Sequence, residues 1–520
     1  MAIVIAGALS MPNTRTATPA QPVFGPRLIA GLTGVFIAAI MAGFNNRVPA
    51  LSLPDIRGAH GLGADAASWL DTVYLVGEIT VQPFAAWFAI TLSLRRYQLV
   101  LISAATLLGL LLPFAQSLPS MLLLRGLQGA VAGGLIPTLM MAALRFLPFH
   151  IRLHGLALFA MTATLAPNLA VWLAGVWTDQ LFDWRWVYWQ IVPLGMFSLA
   201  LCAWGLPQDP PRHERFGQGN WIGHICLVTG LALLAIVLSQ GVRLGWFHST
   251  LICSALAGGL IATFAGLLSE WHHPSPFIRL QLLSRRNLGL GFTLFVGLLV
   301  VLMSGALLPL NFLAQVQGYR PLQSSAVGLT IGLPQLVLGS LVALLLYQPW
   351  MDARKVFATG LLIVAIACWL GAQITSEWMW HQFVAVQALQ AIGQPMAVVS
   401  LLFLATSVVQ PMEGPFVSGL VNMLRAFGTA LGSALVTQLI LIQSHFHSDM
   451  LLDSMARAGA ALGMHEDQLM TLSDAVTTQA VTLATADAYR ALSVLALMLI
   501  PLTLCLTPVT PPSPPSRSPE

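Results

Sequence analysis

Long apolar stretches recur along the whole chain, and they limit the possible folds more than any other feature. An α-helix needs about 20 mostly apolar residues to cross a hydrocarbon core of about 30 Å. Fourteen such stretches lie at 27–47, 67–92, 97–115, 119–144, 153–177, 185–206, 220–240, 249–270, 287–314, 322–347, 355–374, 380–408, 414–442 and 486–508. Only 8% of the 520 residues are charged, too few to cover a soluble globule of this size. The pattern predicts an all-α polytopic membrane protein with 14 transmembrane helices.

The positions of the cations predict which side of the membrane each loop faces. If the N-terminus lies in the cytoplasm, 14 Lys and Arg residues fall in inside segments and seven in outside segments. Arg125 and Arg425, which complete the 23, lie within helices. Because cytoplasmic loops collect Lys and Arg, we expect both termini to be cytoplasmic.

The apolar stretches form two sets of six with a pair between them. We predict a cytoplasmic leader at 1–26, an N-terminal six-helix half at 27–206, linkers with an inserted helix pair at 207–286, a C-terminal six-helix half at 287–508 and a disordered Pro-rich tail at 509–520. The longest loop, 443–485, is predicted to lie outside and to fold as a short amphipathic helical hairpin at or above the membrane surface. A polar run follows Met11, so we expect the chain to start there.

Charge, cysteine and motif patterns exclude several classes of protein. The cations do not form the clusters that nucleic-acid binding requires. The five cysteines lie in apolar stretches without metal-ligand spacing, and His150 and His154 share their cytoplasmic segment with arginines, so we predict no metal site. Because the chain has no phosphate-binding Gly-Lys-Ser/Thr loop, we do not expect ATP or another cofactor as the energy source.

Three motifs resemble those of known transporters. The string Leu124-Arg125-Gly-Leu-Gln128-Gly129-Ala-Val-Ala-Gly133-Gly134 resembles the Arg-x-x-Gln-Gly motif of drug:proton antiporters in the major facilitator superfamily. Ala166-Pro167 and the segments 183–188 and 193–195 are similar to the helix five to six signature of the fourteen-helix branch, the EmrB/QacA-like exporters. Asn422-Met-Leu-Arg425-Ala-Phe-Gly428 is similar to the Arg motif in the penultimate helix of that branch.

The resemblance implies the major facilitator fold, with two halves that rock against each other around a central site. It implies that Arg125, Gln128, Gly129 and Gly133 take part in proton-linked conformational change. In a host with two membranes, it also implies a periplasmic adaptor and an outer-membrane channel as partners, contacted through the loop 443–485.

This sequence departs from the pattern of the family in helix one, in helix five and in the loop after helix two, where Arg95-Arg96 remains but the acid of Gly-x-x-x-Asp-Arg is lost. Asn45 stands where the branch usually carries an Asp in helix one. The Gly-Pro of the helix-five antiporter motif is replaced by Ala170-Val171, which leaves Pro167 and Gly175 to bend or thin that helix. The usual proton site is therefore neutral here.

The second apolar stretch offers a replacement for the missing acid. Asp71 and Glu78 lie two turns apart on one face, with Tyr74 and Gln82 beside them, and Glu78 lies about 10 Å deeper. Ionisable residues inside a bilayer are costly and are usually functional. We hypothesise that Glu78 carries the proton. A structural hydrogen bond, or a permanent pair with Arg47 or Arg125, is the alternative.

The arginines near these acids each have two interpretations. Arg125 either couples a neighbouring carboxyl to the proton cycle or anchors two helices by hydrogen bonds. Arg425 either binds substrate or locks the C-terminal half. Arg47 and Asp71 lie at similar depth, so they form either an outer gate or an ordinary surface pair.

Polar and aromatic residues in otherwise apolar helices are candidates for binding or gating. Such groups suit a pocket for a planar amphipathic ligand, although Trp and Tyr residues near helix ends often belong to the interfacial belt. The candidates are Asn45, Asn46, Arg47, Tyr74, Gln82, Phe312, Gln315, Gln335, Gln390, Gln394 and Arg425.

The leading hypothesis is a proton-coupled exporter of small amphipathic or aromatic compounds in the inner membrane, working by alternating access. A facilitator or uptake carrier without proton coupling is the second hypothesis, because the antiporter motif is incomplete. An intramembrane acyltransferase using His150 or His154 is a remote third, since the sequence supplies no nucleophile to assist them.

Overall fold

The computed structural model of this protein describes residues 24–148, 151–410, 413–462 and 466–509. All regular secondary structure in these ranges is helical, which confirms the predicted all-α class. Most of the predicted leader, most of the predicted tail, Met11 and His150 lie outside the described residues.

Fourteen of the described helices are long and apolar enough to cross a bilayer, as the sequence predicts. We number them α1 Pro26–Leu51, α2 Ala64–Leu92, α3 Leu94–Phe114, α4 Leu118–Phe146, α5 Arg152–Gln180, α6 Trp186–Gly205, α7 Trp221–Gln240, α8 Thr250–His272, α9 Arg286–Val316, α10 Pro321–Leu346, α11 Ala353–Gly371, α12 Trp380–Thr406, α13 Gly414–Leu462 and α14 Glu466–Leu504. A short helix, Leu53–His60, follows α1. We call the end of the molecule that carries it the outer end, following the predicted orientation.

Prolines both start helices and interrupt them. Pro26 and Pro321 are the first residues of α1 and α10, where the missing N–H has no intrahelical partner to lose. Pro49 lies inside α1, and Pro309 lies in α9, which is irregular around Leu302 and Leu307. Inside a helix, proline removes the donor for the carbonyl four residues earlier. These two freed carbonyls become part of the candidate site.

Glycines in the Arg-x-x-Gln-Gly region allow α4 to pack closely against α2. A Cβ atom at Gly129 would lie 2.0 Å from the carbonyl oxygen of Tyr74, and one at Gly133 would lie 2.4 Å from that of Glu78. No side chain fits at either position, so the two backbones are in direct contact. This contact fixes the part of α2 that carries the predicted proton site.

The inserted pair α7–α8 packs against both halves. On α2, Thr72 Oγ1 lies 2.8 Å from Ser239 Oγ of α7, at the outer end of the pair. In the α7–α8 loop, Trp246 Nε1 donates to Gln438 Oε1 of α13 at 2.9 Å. The pair therefore covers one side of the interface between α2 and α13.

The predicted outer loop at 443–485 is not a separate element. Helix α13 continues without interruption to Leu462, and α14 begins at Glu466, so the segment extends both transmembrane helices. No proline occurs between Pro415 and Pro501 to stop either helix. The 49 residues of α13 span about 74 Å, more than twice the thickness of the hydrocarbon core. The two helices therefore form a long hairpin that projects beyond the outer end.

Candidate functional site

Glu78 lies at the middle of α2 and faces the protein interior. Its side chain is buried. Oε2 accepts a hydrogen bond from Asn46 Nδ2 of α1 at 2.7 Å, and Oε1 accepts one from Gln82 Nε2 at 3.0 Å. Among the described residues, no cationic side chain forms an ion pair with Glu78 within 4 Å. The side chain is thus neither in lipid nor held by Arg47 or Arg125.

Arg125 of α4 replaces the backbone donor that Pro49 removes from α1. Its guanidinium is 1% exposed, and Nη1 donates to the carbonyl oxygen of Asn45 at 2.7 Å. That carbonyl lies four residues before Pro49, so it has no N–H partner in its own helix. Nη1 also donates to Gln128 Oε1 at 3.1 Å, and Nη2 to the Asn46 carbonyl at 3.4 Å. Arg125 therefore holds the segment of α1 that presents Asn46 to Glu78.

The Arg47–Asp71 pair that the sequence suggested does not form. Asp71 instead lies near Arg125, with 3.9 Å between Oδ1 and Nη2. The guanidinium carbon of Arg125 also lies 4.2 Å from the ring centre of Tyr74, a cation–π distance. Arg125 can contact α1 and α2 together because it approaches from α4, which packs against α2. The outer gate must therefore be sought elsewhere.

Arg425 of α13 reaches across the interface between the halves. Nη1 donates to Thr162 Oγ1 of α5 at 3.1 Å, and the guanidinium carbon lies 5.8 Å from the Phe159 ring. Arg425 forms no ion pair with Glu78 within 4 Å, so the attraction between these two charges acts at longer range.

Four glutamines form a buried cluster inside the C-terminal half. Gln335 of α10 donates to Gln394 Oε1 at 3.0 Å, Gln394 to Gln390 Oε1 at 3.2 Å, and Gln390 to Ser304 Oγ of α9 at 2.8 Å. Gln387 of α12 donates to the carbonyl oxygen of Gly305 at 3.0 Å. That carbonyl lies four residues before Pro309 and so lacks its own helical donor. We call these four side chains the glutamine cluster.

The two halves place these residues at matching helical positions. Pro49 lies 23 residues after Pro26 in α1, and Pro309 lies 23 residues after Arg286 in α9. Arg125 of α4 and Gln387 of α12 each lie seven residues after the start of their helix, and Gln128 and Gln390 each lie ten residues after it. Glu78 of α2 and Gln335 of α10 each lie 14 residues after the start of theirs. The glutamine cluster is therefore the uncharged counterpart of the Glu78–Arg125 site.

The other predicted residues lie in several places. Asn45 and Tyr74 are buried beside Arg125, and the Tyr74 hydroxyl donates to the carbonyl oxygen of Ala42 at 3.2 Å. Phe312 packs against Phe383 within the C-terminal half, with 5.9 Å between ring centres. Gln315 is exposed near the outer end, so the structure does not bring it to the other candidates.

The remaining motif residues have packing roles. Asn422 Nδ2 donates to the Ser418 carbonyl at 2.8 Å, within α13. A Cβ atom at Gly428 would lie 2.7 Å from Leu299, and one at Gly175 would lie 2.5 Å from the backbone of Leu322. Pro167 lies inside α5. The motifs thus fix how helices approach one another.

The halves are in contact at both ends of the interface. Near the inner end, Ser418 Oγ of α13 donates to the Pro137 carbonyl of α4 at 2.6 Å. The space beside Asn45 and Gln128 is lined by residues of the N-terminal half alone and is too small to admit a ligand. The predicted central pocket between the halves is therefore not formed by this space.

Sequence reasoning missed the ion pairs that join the halves at the outer end. Arg320, directly before α10, donates from Nε to Asp179 Oδ1 at 2.7 Å and from Nη2 to Asp55 Oδ1 at 2.9 Å. Asp179 lies one residue before the end of α5, and Asp55 lies in the short helix after α1. None of the other ion pairs between described residues joins one six-helix half to the other. We call Arg320, Asp55 and Asp179 the outer triad.

His154, the described member of the His150–His154 pair, lies against an aromatic side chain. The ring of His154 packs near that of Tyr347, with 5.6 Å between centres, and the Tyr347 hydroxyl accepts a hydrogen bond from Leu153 N at 3.2 Å. Among the described residues, no three His, Cys, Asp or Glu side chains are grouped to hold a metal ion.

Comparisons with known proteins agree with this architecture. A model of the Major Facilitator Superfamily matches residues 35–333. The chain is 25% identical over 461 residues to the colistin resistance protein EmrB of Acinetobacter baumannii, covering 88% of this chain and 89% of that protein. It is 24% identical over 441 residues to the multidrug export protein EmrB of Escherichia coli strain K12, covering 84% of each. To the fatty acid resistance protein FarB of Neisseria gonorrhoeae it is 22% identical, covering 94% of this chain and 97% of that one.

A solved structure shows the same fold. The human organic anion transporter MFSD10 superposes with a TM-score of 0.58 at 15% identity, covering 92% of this chain and all of that one. The family, the exporter relatives and the fourteen helices indicate a multi-pass membrane transporter rather than an enzyme. Since the family model covers more than half of its length, this chain belongs to the Major Facilitator Superfamily.

Proposed function

We propose that this transporter exports small amphipathic or aromatic compounds from the cytoplasm in exchange for protons, by alternating access. Its relatives include proteins named for multidrug export and for resistance to colistin and fatty acids. The observation that carries the proposal is Glu78, a buried acid at mid-helix that is hydrogen-bonded on both oxygens and forms no ion pair within 4 Å among the described residues. The proton gradient supplies the energy, and no cofactor is required.

Protonation of Glu78 changes its contacts with both halves. The ionised carboxylate accepts hydrogen bonds from Asn46 and Gln82. Once protonated, one oxygen becomes a donor, and both amides lose the stronger, ionised acceptor. The attraction to Arg425 also requires the ionised form. A proton at Glu78 therefore weakens its hydrogen bonding within the N-terminal half and its longer-range attraction to the opposite half.

Arg125 keeps the proton site in place during this cycle. Because a guanidinium does not lose its proton, its bonds to the carbonyls of Asn45 and Asn46 persist in either state of Glu78. Asp71 lies beside Arg125 and is partly exposed, so we assign it a role in passing protons from the outer end.

The outer triad takes the gating role that the sequence assigned to Arg47 and Asp71. Asp179 Oδ2 also accepts a hydrogen bond from Leu322 N at 2.9 Å, so it caps α10 across the interface. These contacts must break for the outer end to open. The cargo then contacts residues of both halves, including Asn45, Gln335, Gln390 and Arg425.

The projecting hairpin is the proposed contact with a periplasmic adaptor, which would lead to an outer-membrane channel. Phe446 and Met450 are 54% and 58% exposed and lie one turn apart on α13, beyond the level where Gln438 meets the α7–α8 loop. This assignment places the hairpin in the periplasm, the chain in the inner membrane and both termini in the cytoplasm.

Substitution of Glu78 by Gln tests the function. The protein is reconstituted in liposomes with an imposed pH gradient, and transport of a fluorescent aromatic dye is followed. Glu78→Gln should bind the dye but lose acceleration by the gradient, whereas Glu377→Gln, an exposed control at the outer end, should keep it.

Two results would contradict the proposal. Gradient-driven transport by Glu78→Gln at the wild-type rate would remove Glu78 from the proton path. Wild-type transport that follows the dye gradient and ignores pH would indicate a facilitator, the alternative suggested by the incomplete helix-five motif.

A further inference from the structure

The glutamine cluster has a fixed hydrogen-bond direction because backbone carbonyls end both of its branches. Ser304 Oγ donates to the carbonyl oxygen of Val301 at 2.7 Å, which leaves the hydroxyl oxygen to accept from Gln390. Gln390 must then use its NH₂ group there and accept from Gln394 through its oxygen. By the same rule Gln394 accepts from Gln335. With the hydroxyl donating to Val301, each amide of this branch donates through its NH₂ group and the group left at the end is the oxygen of Gln335.

The second branch is fixed in the same way. The carbonyl oxygen of Gly305 can only accept a hydrogen bond, so Gln387 must donate to it through its NH₂ group, at 3.0 Å. The group left over in each branch is therefore an amide oxygen. No donor from the described residues reaches Gln335 Oε1 or Gln387 Oε1, although both side chains are fully buried. Buried acceptors without a partner are rare in proteins and call for an explanation.

The absence of a side chain at Gly305 leaves space for the amides of the glutamine cluster. A Cβ atom there would lie 2.9 Å from Gln394 Nε2 and 3.5 Å from Gln387 Oε1, so any larger residue would press into the amides. The irregular part of α9 thus brings its backbone next to a small uncharged polar surface between α9, α10 and α12. Transporters commonly place ligand sites where a helix is interrupted in this way.

We propose that the glutamine cluster recognises a hydrogen-bond donor on the cargo, a hydroxyl or N–H group, through the oxygens of Gln335 and Gln387. The proposal deepens the proposed function by naming the class of cargo for its binding site, and it rests on that function. Two unpaired acceptors attract O–H and N–H groups and repel a carboxylate. An aromatic alcohol or amine fits this site, whereas the same ring with only acceptor atoms does not.

A pair of probes that differ only in the donor tests the inference. 1-Naphthol carries an O–H group, and 1-methoxynaphthalene replaces its hydrogen by a methyl group. Each is titrated against the bound fluorescent dye on purified full-length protein, without a pH gradient. Because no transport is measured, failure of proton coupling does not affect the result.

The wild type should bind 1-naphthol about tenfold more tightly than its methyl ether, which corresponds to about 1.4 kcal/mol. Gln335→Leu should remove most of this preference, and Gln348→Leu, an exposed glutamine outside the cluster, should keep it. Equal affinity of the wild type for the two probes would overturn the proposal, and this comparison stands even if the Gln335 variant does not fold. A preference that survives Gln335→Leu and Gln387→Leu unchanged would overturn it as well.

Discussion

Replacing Pro49 by alanine should make the hydrogen bond from Arg125 to α1 partly redundant. Alanine restores the N–H that the Asn45 carbonyl lacks, so that oxygen regains a donor in its own helix. Loss of Arg125 should then cost less stability than it does in the presence of Pro49. Arg125→Met also removes the contacts to Gln128 and Asp71, but these losses are equal in both backgrounds and cancel in a double-mutant cycle.

The expected coupling can be bounded. A hydrogen bond involving a charged group contributes about 1.5–3 kcal/mol in soluble proteins. Interhelical hydrogen bonds measured in a membrane protein average about 0.6 kcal/mol, with a maximum of about 1.7 kcal/mol. The Arg125 bond is short, at 2.7 Å, and its guanidinium is buried, so we expect a coupling of about 1–1.5 kcal/mol.

The C-terminal half supplies a matched comparison with an uncharged donor. The cycle of Pro309→Ala and Gln387→Leu removes the equivalent bond to the Gly305 carbonyl, at 3.0 Å. Because an amide is a weaker donor than a guanidinium, its coupling should be about 0.5 kcal/mol. Both cycles are measured by unfolding in mixed micelles with increasing SDS, followed by tryptophan fluorescence.

The result that would refute this reasoning is a cost for Arg125→Met that is the same in both backgrounds. It would mean that the Asn45 carbonyl contributes nothing to the stability that Arg125 provides. Zero coupling in both cycles would further show that donors lost to proline in this protein are not replaced by side chains.

Three further predictions concern packing and pH. The bidentate pair with Arg285 lowers the pKa of Glu413. Its stabilisation is therefore complete above the ordinary glutamate pKa of about 4.3 and is lost as pH falls through the lowered pKa. Glu413→Gln should lower the melting temperature at pH 7, and the difference from wild type should shrink only as the pH falls below about 4. Gly133→Leu should abolish the folded protein or its transport, since even a Cβ would lie 2.4 Å from a carbonyl oxygen of α2, and a yield and activity equal to wild type would contradict the close packing. Gly175→Ala should push α5 away from the start of α10. In a cysteine-free background, Ser324→Cys places a thiol at a buried position of α10, and Gly175→Ala should speed its labelling by an impermeant maleimide from outside severalfold. Arg457→Gln, whose ion pair lies within one helix, should leave the labelling rate unchanged.

The number of transmembrane helices could be predicted because apolar length is a local property of the chain. The burial of Glu78 could also be predicted, because an acid in the middle of a membrane-spanning helix almost always faces the protein interior rather than lipid. The partner of Arg125 was not foreseen, although Pro49 offered a signal: an intramembrane proline frees the carbonyl four residues earlier, and a buried donor must meet it. The outer triad gave no such signal, since Asp55, Asp179 and Arg320 come from three separate segments near the outer end that only the packed halves bring together.

The matching positions of the Glu78–Arg125 site and the glutamine cluster suggest why only the first of these two sites contains charged residues. A charge near the bilayer centre costs about 2.5–3.5 kcal/mol on insertion scales, so it persists where a neutral group cannot serve. Proton transfer needs a group that titrates, and α2 provides Glu78 with Arg125 and Arg425 near it. Recognition of a hydroxyl or N–H group needs only an acceptor, and α10 provides Gln335 at the equivalent position. Under the proposed function, the same scaffold divides proton coupling and cargo recognition between its halves, and Arg425, which bonds to Thr162 across the interface, carries its charge in the half that contains the glutamine cluster.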